Sequence, residues 1–526
     1  MLRALSLATV LVLAGAPAAA QTPPPSRIDV VARGTAEGVV VRFELDRPST
    51  RLAFARPSVI RDAWRILTPG LTLADGTISA EAPFDHFEIA ISPDVAEVDR
   101  TYMGLSRIGE GRVLYGPGLM IEGIETRLTF ATAPDEIGLP VENPIQGYAY
   151  LGPHSAVTET THGVAVAGAN MPTALAQRLE TGFLRALDAY GTRLDRPLPY
   201  RPMLLASIDS PGPAYFRGDV TDGGVISVRF HGDDWLAPRP SEMTGVDLFV
   251  LHEAFHLWNG HLADPTDGDT APWLHEGGAE YAALKTATAL ELLDADQGRE
   301  QLARRLNGCR RALGVRDFDA TRLQSGNGPY NCGVVIQWLA DLERRQASGG
   351  TQDFYTLWRD LITQALAADG GYGVAQFRAA IGADSAVNVL FDTPGAQRWS
   401  VLETRLAALG VTLENRPSDT DLMSSALFHV AARNCKSSYG FYNNPGALKL
   451  EGADCGPLSG EPVIDSVEGI DPQSDGRGLF EAVRARCAAN RTVRYATRDG
   501  RVLEAVCDAP LVEPRVWAVV QAPPLD

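Results

Sequence analysis

The most constraining feature of this 526-residue sequence is an apolar run, residues 246–258, that contains two histidines and a glutamate. The apolar residues cover every side of a helix, which predicts that the helix is buried. We expect it to be capped by Thr244 and to stop at Asn259-Gly260. Buried imidazole and carboxylate groups are costly unless something satisfies them. A bound metal ion is the simplest way to satisfy all three.

The polar residues in this run follow the pattern H-E-x-x-H, as His252, Glu253 and His256. Residues four apart lie on the same face of a helix, so His252 and His256 present two nitrogens to one point. Glu253 can reach a water at the metal without being a ligand, which is the position of a general base. The pentapeptide alone leaves open a buried helix whose histidines are satisfied by protein groups.

A third metal ligand is predicted at Glu276, twenty residues after His256 and near the start of a second helical run. The six-residue step of metzincins would reach Leu262, which cannot bind a metal. Two histidines and a glutamate leave the fourth position of one Zn²⁺ per chain open for water. His275 and Glu280 are rival ligands. We expect His275 to face the surface or a loop, and Glu280 to accept from the second nitrogen of a ligating histidine.

These segments resemble the glycyl aminopeptidase family of zinc metallopeptidases. Residues 251–259 (LHEAFHLWN) are similar to its H-E-x-F-H-x-W-N signature. Residues 273–281 (WLHEGGAEY) are similar to the W-x-x-E-G-x-x-x-Y segment that it shares with the larger gluzincin aminopeptidases. The resemblance implies that Glu276 is the glutamate ligand. It also implies a thermolysin-like α+β catalytic domain with a helical lobe.

A third segment, residues 329–335 (PYNCGVV), is similar to the part of these enzymes whose tyrosine supports the transition state. The resemblance implies this role for Tyr330, although Cys332 stands where the family usually has lysine. These aminopeptidases also use a glutamate to hold the free amino group of the substrate. At the nearest match, residues 223–227 (GGVIS), Ile226 stands where the acid is needed. Loop aspartates that could replace it, each more commonly just solvated, are Asp219, Asp222, Asp233 and Asp234.

The rest of the chain predicts a multidomain protein. Alternating strands separated by glycine and proline predict an N-terminal all-β domain over residues 21–136. A catalytic domain follows at 137–414, in which the strand at 224–230 would, by the resemblance, border the cleft and pair with an extended peptide. Residues 415–526 contain an Asp-Gly hairpin and resemble a small α+β PDZ-like domain. A disulfide-stapled α+β cap that binds no ligand is the alternative for this region.

Residues 1–20 have the positive start, apolar run and small-residue end of a secretory signal peptide, which predicts a periplasmic or secreted protein. In an exported chain an even number of cysteines predicts disulfides, and we expect sequential neighbours to pair because each pair closes a short loop. The six are Cys309, Cys332, Cys435, Cys455, Cys487 and Cys507. A Cys309–Cys332 bond would tie the Tyr330 loop to the preceding helix.

Charge and hydropathy limit the partners. The net charge of −18 argues against nucleic acid and anionic membranes. After the signal peptide, no run is long and apolar enough to span a membrane. The expected partner is a peptide or protein substrate, and the oligomeric state stays open.

Together these features predict zinc-dependent peptide hydrolysis of an aminopeptidase-like kind. Glu253 would be the general base, and Tyr330 would stabilise the oxyanion. The alternatives are a zinc endopeptidase and a catalytically weak, zinc-binding envelope protein that holds peptides. Hydrolysis of a non-peptide ester or epoxide by the same site also stays open.

Overall fold

The computed structural model describes residues 25–55, 61, 64–93, 104–209, 214–221, 223–368, 370–444 and 447–525. The predicted signal peptide lies outside the described residues. The chain divides into two compact units: the residues up to Asp188 with Leu198–Pro240, and Ala189–Pro197 with Ser241–Asp526. In the described part of the chain, no helix has the length and apolar character needed to cross a membrane. The domain limits at residues 136 and 414 stay a prediction.

The first unit is built mainly from strands. In chain order they are β1 (Arg27–Gly34), β2 (Val39–Ala53), β3 (Trp64–Ile66), β4 (Leu71–Ala74), β5 (Thr77–Ile91), β6 (Leu105–Ile108), β7 (Gly111–Tyr115), β8 (Glu125–Ala131), β9 (Glu136–Leu139), β10 (Tyr148–Pro153), β11 (Val157–Glu159), β12 (Val164–Ala167), β13 (Met203–Asp209), β14 (Tyr215–Thr221) and β15 (Val225–His231). Helix α1 (Thr173–Arg193) lies between β12 and β13 in the sequence. One sheet has the order β3-β5-β2-β1-β8 with β4 beside β5, and another has the order β6-β7-β10-β9.

Alternation of apolar and polar residues builds the larger of these sheets. In β1 the side chains of Ile28, Val30 and Ala32 are fully buried, and the residues between them are exposed or partly exposed. Val30 lies opposite Phe43 of the antiparallel strand β2. Phe43 stacks on Phe87 of β5 with 4.4 Å between the ring centroids. Because successive side chains of a strand point to opposite faces, one face of the sheet covers the core and the other faces water.

The third sheet of this unit has the order β11-β12-β13-β15-β14. Strands β12, β13 and β15 are parallel, and β14 is antiparallel to β15. The strand predicted at 224–230 corresponds to β15, but the expectation that it pairs with a peptide is wrong. Both of its edges are already paired, with Ile226 opposite Leu204 on one side and Val220 on the other. The outer strand on that side of the sheet is β14.

The second unit is mainly helical. Its helices are α2 (Pro240–His256, whose first residue belongs to the first unit), α3 (Pro272–Ala289), α4 (Ala295–Leu313), α5 (Gly328–Ser348), α6 (Phe354–Ala367), α7 (Val374–Ile381), α8 (Asn388–Asp392), α9 (Gly395–Ala408), α10 (Asp419–Asn434) and α11 (Gly476–Ala488). Its strands are β16 (Thr412–Asn415), β17 (Tyr439–Asn444), β18 (Ala447–Gly452), β19 (Val463–Val467), β20 (Thr492–Thr497), β21 (Val502–Val506) and β22 (Trp517–Gln521).

The limits of α2 differ from those expected. The helix begins at Pro240, so the predicted cap at Thr244 is wrong. Proline is suited to the first turn, because its missing N–H would have no partner within the helix there. The helix also does not stop at Asn259-Gly260, because after His256 the backbone continues as one π-helical segment, Leu257–Leu262. Such segments are rare and occur frequently at functional sites.

The end of the chain forms an antiparallel sheet in the simple order β17-β18-β19-β20-β21, and β16 pairs separately with β22. Helices α10 and α11 share one hydrophobic core with this sheet, through residues such as Leu427, Phe480 and Ile464. The structure joins the cysteines in sequential pairs: Cys309–Cys332, Cys435–Cys455 and Cys487–Cys507. The PDZ-like nature of this region stays a prediction.

Candidate active site

Helix α2 supplies the first two site residues. His252 and His256 are 6% and 8% exposed, on a helix that is otherwise packed with apolar side chains. Because they are four residues apart, their side chains share one face of the helix, and their rings meet edge to face with 4.7 Å between the centroids. The two Nε2 atoms are 3.0 Å apart. The spacing thus brings both imidazoles to one point, as the sequence predicted.

Helix α3 brings Glu276 to the same point. Its Oε2 atom lies 3.2 Å from Nε2 of His252 and 3.5 Å from Nε2 of His256. One ligand atom from each of the three residues lies within 4.8 Å of the other two. The rival ligands His275 and Glu280 are outside this group.

The outer nitrogen of each imidazole faces an acceptor. Nδ1 of His252 is 2.9 Å from Oε2 of Glu280, and Nδ1 of His256 is 2.9 Å from Oδ1 of Asn259. The amide of Asn259 is oriented by its nitrogen, which donates to the carbonyl oxygen of His275 at 2.8 Å. We therefore assign the ring protons to both Nδ1 atoms. This leaves the two Nε2 lone pairs and a carboxylate oxygen facing one another.

Facing lone pairs and a carboxylate repel one another unless a cation lies between them. Two neutral imidazoles and one carboxylate are a donor set that suits zinc, and they leave a coordination position for water. Hydrogen bonds from the outer nitrogens to acceptors are what ligating histidines usually show. The residues therefore fit the metal that the sequence predicts.

Neighbouring charged groups shift the pKa values of His252, Glu276 and Glu280. Burial disfavours the imidazolium of His252, but its contacts with Glu276 and Glu280 outweigh burial and raise its pKa to about 10. Without a metal cation a proton therefore occupies Nε2 of His252, and a bound metal would displace it. Burial raises the pKa of Glu276, yet contacts with His252, His256 and His275 hold it well below its usual range. The pKa of Glu280 is also lowered, because the hydrogen bond with His252 and the charge of Arg305 exceed the effect of burial. Both carboxylates are thus ionised at neutral pH.

His275 does not lie where the sequence led us to expect. It belongs to α3, and its side chain is only 17% exposed, so the expectation of a surface or loop-facing residue is wrong. Its Nε2 atom is 3.3 Å from Oε1 of Glu276, whereas Oε2 is the oxygen that faces Nε2 of His252 and His256. This contact with His275 leaves the other oxygen of Glu276 directed at the site.

Tyr330 lies in the first turn of α5, not in a loop before it as expected. Its ring centroid is 6.1 Å from that of His252. Burial, followed by the charges of Glu276 and Glu253, raises the pKa of Tyr330 to about 12. The hydroxyl is therefore protonated at neutral pH and is a hydrogen-bond donor.

Close packing fixes this turn of α5. A Cβ atom on Gly333 would lie 2.4 Å from Cα of Gly277 in α3, so the two backbones meet there. The disulfide Cys309–Cys332 joins the same turn to α4. The turn that carries Tyr330 is thus fixed from two sides.

Glu253 follows His252 on α2 and is partly exposed. Its charge raises the pKa of His252, after the larger contributions of burial, Glu276 and Glu280. A partly exposed carboxylate beside the candidate metal ligands is open to a water and a substrate there. This position suits a general base.

Of the four aspartates that could replace the amine-binding glutamate, the structure describes the side chains of two. Asp233 and Asp234 are exposed in a short 3-10 helix, Asp233–Leu236. Asp222 and the side chain of Asp219 lie outside the described residues. Ile226, at the aligned position, is fully buried in β15.

Asn259 and Arg305 are site residues that the sequence analysis did not assign. Asn259 is fully buried, and the signal available for it was a polar side chain directly after the apolar run. Its placement depends on the π-helical segment, which the sequence pattern did not predict. Arg305 forms an ion pair with Glu280, and no motif marks it. A further group of possible ligands, His429 with Cys487 and Cys507, cannot bind a metal as it stands because the two cysteines form a disulfide.

Neither a protein-family model nor a curated protein sequence matches the chain. Its fold is similar to that of an aminopeptidase N family protein from Idiomarina loihiensis, with a TM-score of 0.60 and 14% identity over 94% of this chain and 98% of that one. Weaker likenesses are to Legionella pneumophila aminopeptidase A in complex with aspartic acid (TM-score 0.39, 14% identity, 76% of this chain and 51% of that one) and to native yeast LTA4 hydrolase (0.37, 10%, 79% and 73%). These two are too distant to support an inference. The first establishes an aminopeptidase N-like fold.

Proposed function

We propose that this protein is a zinc-dependent peptide hydrolase with an aminopeptidase-like active site. The observation that carries the proposal is the convergence of His252, His256 and Glu276, with both outer imidazole nitrogens bonded to acceptors. The aminopeptidase N-like fold is consistent with it. Membership of the glycyl aminopeptidase family is also our proposal, and it rests on the segments 251–259 and 273–281.

His252, His256 and Glu276 would hold one Zn²⁺ per chain. Glu280 would act from outside this group by fixing the proton of His252 on Nδ1, and Asn259 would do the same for His256. When bound, zinc supplies a Lewis acid that polarises the scissile carbonyl and lets water lose a proton near neutral pH.

Glu253 and Tyr330 would carry out the proton transfer and the charge stabilisation. Glu253 takes the proton of the attacking water as the new C–O bond forms at the peptide carbonyl. It then passes this proton to the leaving amine as the C–N bond breaks. Tyr330 donates its hydroxyl hydrogen bond to the negative oxygen of the tetrahedral intermediate, and its high pKa keeps it a donor throughout.

A zinc endopeptidase is the second candidate, and the burial of Ile226 favours it. An aminopeptidase needs an acid to bind the amino group of the substrate, and this position of β15 supplies none. An aminopeptidase that uses another acid, such as one of the loop aspartates, would have the same zinc site. The substrate's N-terminus therefore separates the two candidates.

We further propose that the protein acts outside the cytoplasm, in the periplasm or as a secreted protein. The three disulfides support this, since such bonds persist in oxidising compartments. The partner would be a peptide or protein, in keeping with the acidic net charge of −18.

The test is cleavage of a mixed peptide library, half of it N-terminally blocked, by purified protein with and without a zinc chelator. The proposal predicts chelator-sensitive release of single residues from free N-termini. Chelator-sensitive internal cuts in blocked peptides would establish the endopeptidase instead. If zinc-loaded protein cleaves neither set, the proposed function is wrong, and a zinc-binding protein that only holds peptides becomes the better account.

A further inference from the structure

Arg305, in the middle of α4, reaches two neighbouring helices with one guanidinium group. Its Nη2 atom donates to Oε1 of Glu280 in α3. Its Nη1 atom donates to Oδ1 of Asn331 in α5, at 3.3 Å. The side chains of Arg305 and Glu280 are 21% and 14% exposed, so the ion pair is largely shielded from water. A shielded pair of this kind fixes geometry more firmly than a surface pair does.

Through Glu280 of α3, Arg305 is connected to His252, a proposed metal ligand. The second oxygen of Glu280 accepts from Nδ1 of His252 at 2.9 Å. Arg305 therefore holds the carboxylate that orients the imidazole. Without the guanidinium, Glu280 would be a mostly buried carboxylate free to rotate or to recruit water.

Through Asn331 of α5, Arg305 contacts the residue that follows Tyr330. Asn331 follows Tyr330 in the chain, and its side chain packs on the backbone of α4 at Gly308, where a Cβ would lie 2.4 Å from its Nδ2 atom. The next residues along each helix form the disulfide Cys309–Cys332. The bond from Arg305 thus adds to a rigid joint between α4 and the turn that carries Tyr330.

We propose that Arg305 is a positioning residue that couples the proposed metal ligands to the turn that carries Tyr330. Through Glu280 it fixes the ring of His252, and through Asn331 it fixes the turn that carries Tyr330. Arginine suits this task because its planar fork presents several N–H donors in fixed directions, whereas lysine presents a single point of charge. The inference rests on the proposed function, since it assigns a purpose to residues around the proposed zinc site.

The test compares Arg305→Met, Arg305→Lys and the control Arg304→Met. Arg304 is the exposed neighbour on the same helix, so its variant removes the same charge from α4 without touching the site. Two quantities are measured: the zinc Kd of the metal-free protein, by competition with a chromophoric chelator, and kcat and KM for peptide cleavage at saturating zinc. Thermal melting confirms that each variant is folded.

Arg305→Met is expected to weaken zinc binding about 10- to 100-fold, the usual range for a group that supports a ligand. At saturating zinc its kcat should fall by about tenfold or more with little change in KM, because Tyr330 is displaced. Arg305→Lys should recover much of the zinc affinity, since it keeps a positive charge beside Glu280, but it should not recover kcat. This variant also decides the matter if Arg305→Met does not fold.

Zinc affinity and kcat like those of Arg304→Met, in both Arg305 variants, would overturn the proposal. A loss in only one of the two quantities for Arg305→Met would overturn the coupling. Measurements on the wild-type protein distinguish failure of this proposal from failure of the proposed function. If it binds zinc but cleaves no peptide, the proposed function fails while the comparison of zinc affinities still tests Arg305.

Discussion

Helices α2 and α3 meet at the site through ion pairs and hydrogen bonds from His252 to Glu276 and Glu280, whereas α4 and α5 are joined by the disulfide Cys309–Cys332. We call the first pair the metal half and the second pair the tyrosine half. In the metal half, two imidazole nitrogens and a carboxylate oxygen face one another, and a cation between them would remove their repulsion. In the tyrosine half, the covalent bond is present whether or not a metal is bound.

The difference implies a division of labour. The metal half should depend on zinc for its final arrangement, because metal binding contributes directly to the stability of the state that binds it. The tyrosine half should depend on its disulfide and on close backbone packing. The contact of Gly277 with Gly333 joins α3 to α5, and so joins the two halves.

The largest expected effect is that of His256→Ala, which removes one of the three ligands in the metal half. Zinc binding should be lost, and peptide cleavage should fall by at least about 1,000-fold, because the metal supplies several kcal/mol of transition-state stabilisation. Zinc content and kcat/KM are the measurements. The matched control is His154→Ala, an exposed histidine of the first unit. Wild-type zinc affinity in His256→Ala would show that the ligand set is wrong.

The next effect is that of replacing Cys309 and Cys332 together by alanine, which opens a loop of 23 residues in the tyrosine half. The free energy of unfolding should fall by about 3 kcal/mol. We expect kcat to fall as well, while the zinc Kd changes less than about threefold because the Arg305–Glu280 contact remains. Denaturant titration, steady-state kinetics and chelator competition provide the three values.

The Cys435–Cys455 bond offers a matched control for this variant, because it closes a loop of 20 residues that contains β17 and β18 of the C-terminal sheet. Its removal should cost a similar free energy of unfolding and leave kcat unchanged. Equal losses of kcat from both double variants would contradict a specific link between the first disulfide and Tyr330.

The smallest of the three effects is that of Gly333→Ala at the contact between the halves. The new methyl group would lie 2.4 Å from Cα of Gly277 and 2.5 Å from the carbonyl oxygen of Trp273, so α3 and α5 must move apart. We expect a loss of about 1–3 kcal/mol in the free energy of unfolding. Gly245→Ala is the control, since a Cβ there meets nothing within 4 Å, and it should stabilise α2 by about 0.5–1 kcal/mol. Equal stability of both variants would show that the backbone contact is loose.

The metal half could be predicted from the sequence because its geometry is local. The four-residue spacing of His252 and His256 fixes their common face through the period of one helix. Glu276 needed one further assumption, that a second helix returns to the first. Its sequence motif and its resemblance to zinc peptidases supplied that assumption.

Near Tyr330, the disulfide Cys309–Cys332 was predicted from the order of the cysteines, but the contacts of Arg305 could not be predicted because they join helices far apart in the sequence. Arg305 meets Glu280 across 25 residues and Asn331 across 26. Neither pair has a periodic signal. The neighbours of β15 could not be predicted either. They are β13 and β14, and nothing in the residues of β15 shows that strands lie on both of its sides. The π-helical segment after His256 is a local feature, but it was not predicted because it leaves the apolar pattern of the sequence almost unchanged.

The central claim is that the metal half binds zinc for peptide hydrolysis with Glu253 as the base, and Glu253→Gln tests it most directly. The variant keeps all three ligands, so zinc content should stay at one per chain. Hydrolysis of the most rapidly cleaved library peptide should fall by about 100- to 10,000-fold, the usual contribution of a general base. Zinc-loaded Glu253→Gln that cleaves as fast as the wild-type protein would contradict the account.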